Sequence, residues 1–425
     1  MLDPAPHEAG RRQRLAVVGT GIAGMLAARL LHAHHDLTVF EANDYVGGHT
    51  NTIPVEQGGV VYPVDTGFIV YNPENYPSFV RLLEQLGVAS QPTDMSFSVK
   101  SLRTGLEYGG ADLRRLFAQP SNLLRPSFHR MLLDIRRFHR EAPALLAGTE
   151  QGLTLGDYLA RQGFSRAFVE DHLIPFGAAI WSAAPDDMLA FPARHFVQFF
   201  ENHGFLRRRR PQWRVVRGGS ATYARALVAP FRDRIHLSTP VRAVRRFPDR
   251  AEVELAGGAV QSFDGVILAC HSDQALRLLA DPRPPEREIL GPMEYQENRV
   301  LLHTDDRVLP RRRAAWASWN YLIPARPASR VSITYNMNLL QGLDSPETFC
   351  VTLNGQEAVD ERRVIRELVY HHPRYTVASV AAQARHGQIN GVHRTYYCGA
   401  YWGYGFHEDG VRSALAVTRL FGQEL

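Results

Sequence analysis

The sequence of 425 residues contains one lysine, Lys100, among its 48 basic residues, so the other 47 are arginines. Its three cysteines, Cys270, Cys350 and Cys398, include no CxxC pair. This excludes a disulfide scaffold and a cysteine zinc site and fits a reducing compartment, and we expect no metal. No run of about 18 apolar residues is present, so we expect no membrane-spanning helix. The opening MLDPAPHEAGRRQR lacks the apolar segment of a signal peptide, so we expect a short disordered tail and a cytoplasmic protein.

The composition is that of a globular protein, with 45% hydrophobic and 21% charged residues. It excludes a disordered chain, a collagen-like chain and a coiled coil. The length predicts one very large unit or two to three interleaved domains. The many arginines have two explanations: a GC-rich genome, or recognition of phosphates and carboxylates, which arginine suits better than lysine. A chain with one lysine also has almost none to use in catalysis.

The segment 14–42 carries the strongest motif. A β-rich run at 15–18 precedes Gly19, Gly21 and Gly24, which form G-x-G-x-x-G, and a helix with small residues follows. A second strand at 36–40 ends at Glu41, where a carboxylate can accept hydrogen bonds from ribose hydroxyls. This is the context of a dinucleotide site: the glycines permit the tight turn, the close approach of a pyrophosphate and the packing of helix on strand. The helix N-terminus offers N–H groups to the phosphates.

The residues after Glu41 indicate which dinucleotide binds. They include an adjacent pair, Gly47 and Gly48, followed by His49. NAD-only Rossmann domains do not need this pair. The spacing E-x(5)-GG-[RH] resembles that of the flavin amine oxidase and phytoene desaturase superfamily, in which the extension wraps the FAD pyrophosphate. His49 stands where that family most often has arginine. The turn Asp65-Thr66-Gly67 also resembles the family's D-x-G turn near the isoalloxazine ring.

Two distant segments extend this resemblance. At 236–269 the pattern predicts a β-meander and a returning strand; in the family, the stretch at Thr239, Pro240 and Val241 places a valine backbone against adenine. Cys270 and His271 follow the returning strand, and we interpret them first as loop residues and second as cofactor contacts. At 395–421, a strand, a glycine- and aromatic-rich loop and a helix starting near Glu408 resemble the segment that faces the flavin N1/C2=O edge, where the helix dipole favours anionic reduced flavin.

The C-terminal segment also departs from the family pattern. Gly399 and Glu408 match it, whereas Ala400 replaces a frequent acidic or hydroxyl residue and Asp409-Gly410 replaces Gly-Ala. The stretch GFHEDGVRSALAV is similar to that of bacterial flavoproteins that resemble the desaturase of furan fatty acid synthesis. Members are often associated with lipid methyltransferases of the cyclopropane-synthase type. The resemblance therefore implies a lipid substrate and a lipid methyltransferase as a partner.

The resemblance implies an α/β fold, with a Rossmann-like FAD-binding domain of the glutathione-reductase/amine-oxidase type and an inserted α+β substrate domain. The expected FAD-binding parts are 14–72, 235–285 and 391–425, separated by a mainly helical insertion at 73–234 and substrate-domain strands and a helix at 286–390. We expect non-covalent FAD, because Cys398 precedes the loop in which some relatives carry a covalent cysteine. The implied cofactor-binding residues are Gly19, Gly21, Ile22, Ala23, Gly24, Glu41, Ala42, Gly47, Gly48, His49, Thr50, Thr66, Gly67, Phe68, Val241, Ala269, Gly399, Glu408, Gly410 and Val411.

Inside the insertions the pattern predicts further elements. We expect helices at 79–86, broken helices over 112–146, and helices at 153–161 and 166–172. We also expect a helix at 273–280, strands near 298–304, 314–322 and 331–337, and a helix near 357–369.

The basic stretch 112–140 has two interpretations. It is a solvated helical face in an arginine-rich protein, or it lies on anionic phospholipid at the inner face of the membrane with its Leu, Phe and Met side inserted. The arginines at 207–210, with Phe205 and Trp213 nearby, would add to such a patch. No base-reading motif is present, so we expect no nucleic-acid partner.

Two residue positions favour a lipid substrate over an amine. Flavin amine oxidases commonly carry a lysine near flavin N5 on a strand of the central insertion, and the region 290–340 has none. Their aromatic-sandwich tyrosine corresponds to Phe406, which favours an alkyl chain over an amine. We therefore predict hydride removal from an apolar, lipid-like substrate to form a C=C bond, with O2 as the plausible reoxidant. An amine oxidase, a carotenoid or porphyrinogen-type desaturase and a non-catalytic FAD scaffold remain alternatives.

Two sets of residues follow from that hypothesis. The candidate bases are His407 and Glu408, with Tyr321 or Tyr401 as a proton relay; His407 has the alternative role of a hydrogen-bonding group in the flavin loop. The candidate walls of the substrate channel are Trp181, Trp319, Trp402, Tyr404 and Phe406.

Overall fold

The computed structural model of the chain describes residues 11–110, 112–148, 152–207, 211–326 and 330–425. The expected N-terminal tail up to residue 10, and residues 208–210 of the arginine run, lie outside the described residues.

The strands follow in chain order. They are β1 (Arg14–Val18), β2 (Asp36–Phe40), β3 (Thr52–Gln57), β4 (Val60–Asp65), β5 (Val70–Tyr71), β6 (Ser90–Pro92), β7 (Phe97–Ser101), β8 (Glu107–Gly109), β9 (Arg214–Val216), β10 (Ile235–His236), β11 (Val241–Arg246), β12 (Ala251–Leu255), β13 (Val260–Phe263), β14 (Gly265–Leu268), β15 (Tyr295–His303), β16 (Trp319–Ile323), β17 (Ile333–Asn336), β18 (Cys350–Leu353), β19 (Val364–Pro373) and β20 (Thr395–Tyr397).

The α-helices connect and cover these strands. They are α1 (Ile22–Leu31), α2 (Pro77–Gln85), α3 (Leu113–Leu116), α4 (Pro126–Glu141), α5 (Ala144–Ala147), α6 (Leu155–Arg161), α7 (Arg166–Phe168), α8 (Ile174–Trp181), α9 (Pro185–Leu189), α10 (Ala193–Asn202), α11 (Ala221–Val228), α12 (Ser272–Leu278), α13 (Pro284–Leu290), α14 (Met337–Gln341), α15 (Val377–Gln383) and α16 (His407–Thr418).

A five-stranded parallel sheet in the order β10-β2-β1-β14-β20 forms the centre of the first domain. Successive side chains of β1 point to opposite faces. Leu15 and Val17 pack with α1, α11 and α16, whereas Ala16 and Val18 pack with the three-stranded meander β11-β12-β13 and with α12 and α13. The sheet is thus covered on both faces, and the expected α/β fold with a Rossmann-like sheet is confirmed.

A second sheet of seven strands, in the order β19-β15-β18-β17-β16-β7-β8, belongs to the other domain. Helices α4 to α10 pack with it around a large core that includes many aromatic side chains, among them Phe138, Phe168, Phe196 and Phe200. The two long insertions therefore share one core, which positions a wall of side chains opposite the carboxyl ends of the parallel strands.

The expectation of a helix near 357–369 is wrong. The chain there forms a short 3₁₀ turn at 361–363 and then strand β19, which pairs antiparallel with β15 from Tyr295↔Pro373 to His303↔Val364. The pairing satisfies the backbone along nine residues of β15, and the β-branched and aromatic residues of VIRELVYHHP suit a strand. A smaller difference concerns the strand expected near 314–322, which begins only at Trp319.

Within the described ranges, no helix has both the length and the apolar character needed to cross a membrane.

Candidate active site

A cavity of about 740 Å³ lies where the two domains meet. One wall consists of the carboxyl ends of β1, β2 and β14 and the loop after β20; the other consists of residues from β16, β17 and β19 and from helices α8 and α10. The carboxyl ends of parallel strands are where open α/β sheets bind their ligands.

The glycine motif forms the turn between β1 and α1. A Cβ on Gly24 would lie 2.0 Å from the carbonyl oxygen of Gly19, and one on Gly19, whose φ is +102°, would lie 2.9 Å from that of Ala269. These two glycines are therefore required for packing. A Cβ on Gly21 would meet no atom within 4 Å, and Gly21 lines the cavity. Its missing side chain leaves room for a ligand to reach the backbone.

The first turn of α1 presents backbone N–H groups to this part of the cavity. Gly21 is the N-cap and has no side chain to accept the first-turn N–H groups, and Ile22 and Ala23 line the cavity. Gly48 follows the same surface, because a Cβ there would lie 3.4 Å from the Cα of Gly21. A helix N-terminus with free N–H groups beside glycine backbone favours a phosphate group.

Glu41 is buried at the end of β2 and lines the cavity. One carboxylate oxygen accepts hydrogen bonds from the N–H (2.8 Å) and hydroxyl (2.5 Å) of Thr20, and the other accepts from the N–H (2.9 Å) and side-chain amide (3.0 Å) of Asn43. These neutral donors hold the carboxylate in one orientation at the cavity edge. Val241, with Thr239 and Pro240, lines the cavity nearby.

His407 is the first residue of α16 and lines the cavity. Its Nε2 lies 2.7 Å from the hydroxyl of Tyr223 and 3.1 Å from that of Thr50, and its ring stacks on Phe68 with centroids 3.4 Å apart. Burial, and to a smaller extent the neighbouring His49, hold the pKa of His407 well below its ordinary value. A neutral imidazole tied to two hydroxyls orients the loop and Phe68.

Glu408 does not line the cavity. Its carboxylate accepts hydrogen bonds from the N–H groups of Ser78 (3.2 Å) and Phe79 (2.9 Å), at the start of α2. The N-cap of that helix, Tyr76, makes no side-chain cap of its own, so Glu408 caps α2 from a distant part of the chain. Burial raises its pKa, and these N–H groups oppose the rise.

The other proton-relay candidates differ in position. Tyr321 is buried in the core of the substrate domain, outside the cavity lining. Tyr401 lines the cavity, and its hydroxyl has no hydrogen-bond partner among the described residues. Burial raises the pKa of Tyr401 well above its ordinary value, so this hydroxyl is neutral.

Of the five residues expected to line the substrate channel, four line the cavity and one does not. Trp402 lies outside the cavity lining and stacks on His386 with ring centroids 4.0 Å apart. Trp181, Trp319, Tyr404 and Phe406 line the cavity. Six further residues with large apolar side chains line the cavity but were not predicted from the sequence, because they come from separate elements of the insertions. They are Met95, Ile180, Phe199, Phe205, Trp213 and Tyr335. Phe205 and Trp213, expected beside a surface patch, are thus buried against the cavity.

The remaining expected cofactor residues separate into two groups. Those that line the cavity, besides the residues already placed there, are Ala42, Gly47, His49, Gly67, Phe68, Ala269 and Gly399; those outside its lining, besides Glu408, are Gly24, Thr50, Thr66, Gly410 and Val411. The second group acts on the site through packing or hydrogen bonds. Thr66, for example, donates a hydrogen bond to the carbonyl of Asn51 at 3.0 Å.

Strand β19 contributes residues to the cavity wall that were not predicted, because a helix was expected in this part of the chain. Tyr370, His371 and His372 line the cavity, together with His49 and His271. The ring centroid of His49 lies 4.7 Å from that of Tyr370, 5.3 Å from that of His372 and 6.1 Å from that of His271. The sequence signal was the HH pair in a β-rich run, which could be assigned only after the pairing with β15 was known.

A family comparison decides the class of the protein. Residues 22–321 match the model of the flavin containing amine oxidoreductases. The chain belongs to this family. Membership implies a flavin cofactor and an oxidoreductase activity, and the cavity fits such a cofactor: Gly21 opens a cradle that a side chain would fill, and the buried Nε2 of His49 has no partner among the described residues.

Solved structures of other proteins have the same fold. Wild-type putrescine oxidase bound to putrescine has a TM-score of 0.68 at 15% identity, covering 96% of this chain and 98% of that one. A protein of Exiguobacterium sp. 255-15 assigned as a protoporphyrinogen oxidase has a TM-score of 0.67 at 18% identity, with coverage of 96% and 98%. A fatty acid isomerase from P. acnes has a TM-score of 0.67 at 17% identity, with the same coverage. No curated protein sequence matches this chain.

Proposed function

We propose that this flavoprotein binds FAD and desaturates an apolar, lipid-like substrate, the methylated unsaturated acyl chain of a phospholipid. The observation that carries the proposal is the character of the cavity wall. Among the described residues that line it, the only carboxylate is Glu41, which is held by Thr20 and Asn43 at the dinucleotide end. An alkyl chain gains free energy from aromatic and aliphatic walls, whereas a protonated amine would find no carboxylate to pair with among the described residues of those walls.

The single lysine supports the same choice. The Nζ of Lys100 donates hydrogen bonds to the carbonyl oxygens of Arg307 (3.0 Å) and Leu309 (2.8 Å) and does not line the cavity. The lysine that amine oxidases commonly keep near flavin N5 therefore has no counterpart in this chain. One solved relative, the fatty acid isomerase, has a name that refers to an acyl substrate.

The residues have the following proposed roles. Bound FAD supplies a hydride acceptor. The turn at Gly21, the start of α1 and Glu41 hold its dinucleotide portion, and the apolar wall around Trp319 orients the acyl chain and excludes water. Tyr401 and His407, the two proton-handling candidates that line the cavity, are the proposed acceptors or relays of the proton lost by the substrate. FAD is held non-covalently, because Cys398 is buried outside the cavity lining and burial raises the pKa of the Cys270 thiol to about 12.

The experiment compares substrates under anaerobic conditions. A phospholipid with a methylated, unsaturated acyl chain is expected to bleach the visible flavin band of the holoenzyme, whereas putrescine and cyclohexylamine are not. Trp319→Glu places a carboxylate in the apolar wall and is expected to slow bleaching by lipid at least about tenfold, since burying an unpaired charge costs several kcal/mol. The control Trp319→Phe keeps an aromatic ring and is expected to retain most of the rate. Rapid bleaching by amines and none by lipid would refute the proposal in favour of an amine oxidase, and bleaching by a porphyrinogen would favour the third alternative.

The surface of α3 and α4 gives a second line of support. Four leucines are exposed there, with relative exposures of 74% for Leu113, 56% for Leu123, 87% for Leu124 and 60% for Leu133. The sequence reasoning expected the phenylalanines and methionine of this stretch to insert as well, but Phe128, Met131 and Phe138 are buried in the core because they lie on the inward face of α4. We name the leucines Leu113, Leu123, Leu124 and Leu133, with Arg114 and Arg136, the leucine–arginine surface.

We propose that the leucine–arginine surface rests on an anionic bilayer that holds the substrate. Arg114 and Arg136 are exposed and have no carboxylate partner in the described parts of the chain, so their charge is available for anionic headgroups. Exposed leucines beside unpaired cations match the interfacial region of such a membrane. The resemblance to proteins associated with lipid methyltransferases makes such an enzyme the proposed source of the methylated chain.

Vesicle flotation tests this surface. The chain is expected to float with vesicles rich in phosphatidylglycerol and not with phosphatidylcholine vesicles. The double variant Leu123→Ser/Leu124→Ser is expected to bind at least about tenfold more weakly, because it removes two exposed apolar side chains. Leu420→Ser, at an exposed leucine near the C-terminus, is the matched control. Equal flotation of both variants would show that this surface is not the site of contact.

A further inference from the structure

Four histidines converge on the cavity from three parts of the chain. His49 follows the glycine pair, His271 follows β14, and His371 and His372 lie on β19. The ring centroid of His49 is 5.3 Å from that of His372 and 6.1 Å from that of His271, and the ring of His271 is 6.2 Å from that of His371. We name these four residues the histidine cluster.

The histidine cluster borders the glycine turn through two backbone contacts. His49 adjoins Gly48, where a Cβ would lie 3.4 Å from the Cα of Gly21. His271 is two residues beyond Ala269, whose carbonyl oxygen would lie 2.9 Å from a Cβ on Gly19. His49 and His271 therefore follow backbone that packs against the glycine turn, and both line the same cavity as Gly21, where the geometry favours a phosphate group.

The cluster is polar and incompletely paired. The buried Nε2 of His49 has no hydrogen-bond partner in the part of the chain that the structure describes. His372 Nδ1 lies 2.9 Å from the side-chain amide of Asn298, and the ring of His271 stacks on that of Tyr295 with centroids 4.2 Å apart. An unpartnered ring nitrogen that is buried and faces a cavity indicates a ligand atom that completes its hydrogen bonding.

The other charged and titratable groups around the histidine cluster are acidic, paired with an acid or neutral. Glu41 and Asp273 are acidic, and the guanidinium of Arg277 is bound to Asp273 at 2.7 Å. The pKa of Cys270 is raised to about 12 by burial, and those of Tyr45, Tyr295 and Tyr370 are also raised, so these groups are neutral. His407, on α16, has a pKa held well below its ordinary value by burial.

We propose that the histidine cluster, through His49, takes up one proton from solvent when the diphosphate of the dinucleotide binds, so that affinity for FAD increases as the pH falls. The inference rests on the proposal that the cofactor is FAD. One proton moves from hydronium or a buffer acid in solvent to an imidazole nitrogen, where an N–H bond forms, and the resulting cation would offset negative charge of the diphosphate. The family's frequent arginine at the position of His49 would supply a permanent charge instead.

The direction of this pH dependence follows from the thermodynamic linkage between proton binding and FAD binding. Without the dinucleotide, burial lowers the pKa of His49 to about 4 and that of His271 to about 3, so both are neutral near pH 7. A bound dianion raises the pKa of the imidazole that faces it. Between the pKa of the free state and that of the bound state, binding takes up a proton, and affinity rises as the pH decreases, by at most about tenfold per pH unit for one proton.

The test measures release of FAD by dilution of the full-length holoenzyme, with the fluorescence of freed FAD as the readout. The dissociation constant is expected to increase at least about fivefold per unit over part of the range from about pH 5.5 to about pH 8. His49→Arg is expected to remove most of this dependence and to bind FAD more tightly at the alkaline end. The double variant His49→Gln/His372→Gln is expected to bind weakly at every pH. His129→Gln, at an exposed histidine of α4 outside the cavity lining, is the control and should behave as the wild type.

The outcomes are distinguishable. A wild-type dissociation constant that does not change with pH would overturn the inference, and so would an undiminished pH dependence in the double variant. If the holoenzyme retains FAD and is bleached by lipid while the pH dependence is absent, only the inference about the histidine cluster fails. If the purified chain carries no FAD and binds none, the proposed function fails first.

Discussion

Gly21 provides the most direct test of where the dinucleotide lies. Its backbone has φ −60° and ψ 173°, which any residue can adopt, and a Cβ there would meet no protein atom within 4 Å. Gly21→Ala is therefore expected to leave the cofactor-free chain as stable as the wild type or more stable by about 0.4–1 kcal/mol, because alanine restricts the unfolded chain.

The same methyl group would obstruct the cofactor. It would project into the cavity beside the first turn of α1 and keep a phosphate from the backbone N–H groups. A hydrogen bond to a charged group contributes about 1.5–3 kcal/mol. Loss of one such bond is expected to weaken FAD binding by about 10- to 100-fold, since about 1.4 kcal/mol corresponds to a factor of ten.

Gly24→Ala is the contrasting variant. A Cβ at Gly24 would lie 2.0 Å from the carbonyl oxygen of Gly19, a backbone atom that cannot move without opening the turn. This variant is expected to unfold at lower temperature with or without FAD. Thermal unfolding by circular dichroism and FAD release by dilution measure the two effects separately. A folded Gly21→Ala chain that binds FAD within about threefold of the wild type would refute the placement of the diphosphate beside Gly21.

Two further predictions concern stability. Glu286→Gln is expected to lower the free energy of unfolding by about 1–3 kcal/mol in urea titrations, because it removes the buried carboxylate that pairs with the guanidinium of Arg246 and leaves the partly exposed Asp281 as its ion-pair partner. Glu367→Gln, in an exposed ion pair with relative side-chain exposures of 48% and 44%, is the control and should cost less than about 1 kcal/mol. Burial raises the pKa of Asp409 to about 6 from an ordinary 3.8, so the folded chain binds this proton more tightly and the carboxyl contributes less stability as the pH rises from about 4 to about 6. Relative to the wild type, Asp409→Asn should therefore gain about 2 kcal/mol between pH 4.5 and pH 7.5, and an unchanged difference would contradict the assigned pKa.

The glycine turn and the position of Glu41 could be predicted from sequence because their requirements are local. Gly19 must adopt a positive φ and Gly24 must pack against a carbonyl only five residues earlier, so both constraints fall within one turn. The strand, turn and helix that surround them are contiguous, and Glu41 follows at the end of the next strand. Such features leave a regular spacing that is readable without the rest of the chain.

The roles of Glu408 and the residues of β19 depended on partners far away in the chain. The carboxylate of Glu408 was a plausible base until the fold brought the start of α2 to it, where it caps the N–H groups of Ser78 and Phe79. The segment 364–373 fits a helix or a strand by its own pattern, and only its pairing with β15 decided the outcome.

The sequence by itself determined the Rossmann-like sheet, the glycine turn and, through the absence of a second lysine, the lack of a lysine amino group for the flavin. Each of these follows from residue identity or from backbone conformation within a few neighbours. Only the tertiary structure decided which aromatic residues line the cavity, which carboxylate is a helix cap and which histidines meet in the cavity. Those properties arise when side chains from separate segments share one space, and no spacing along the chain records the distance between them.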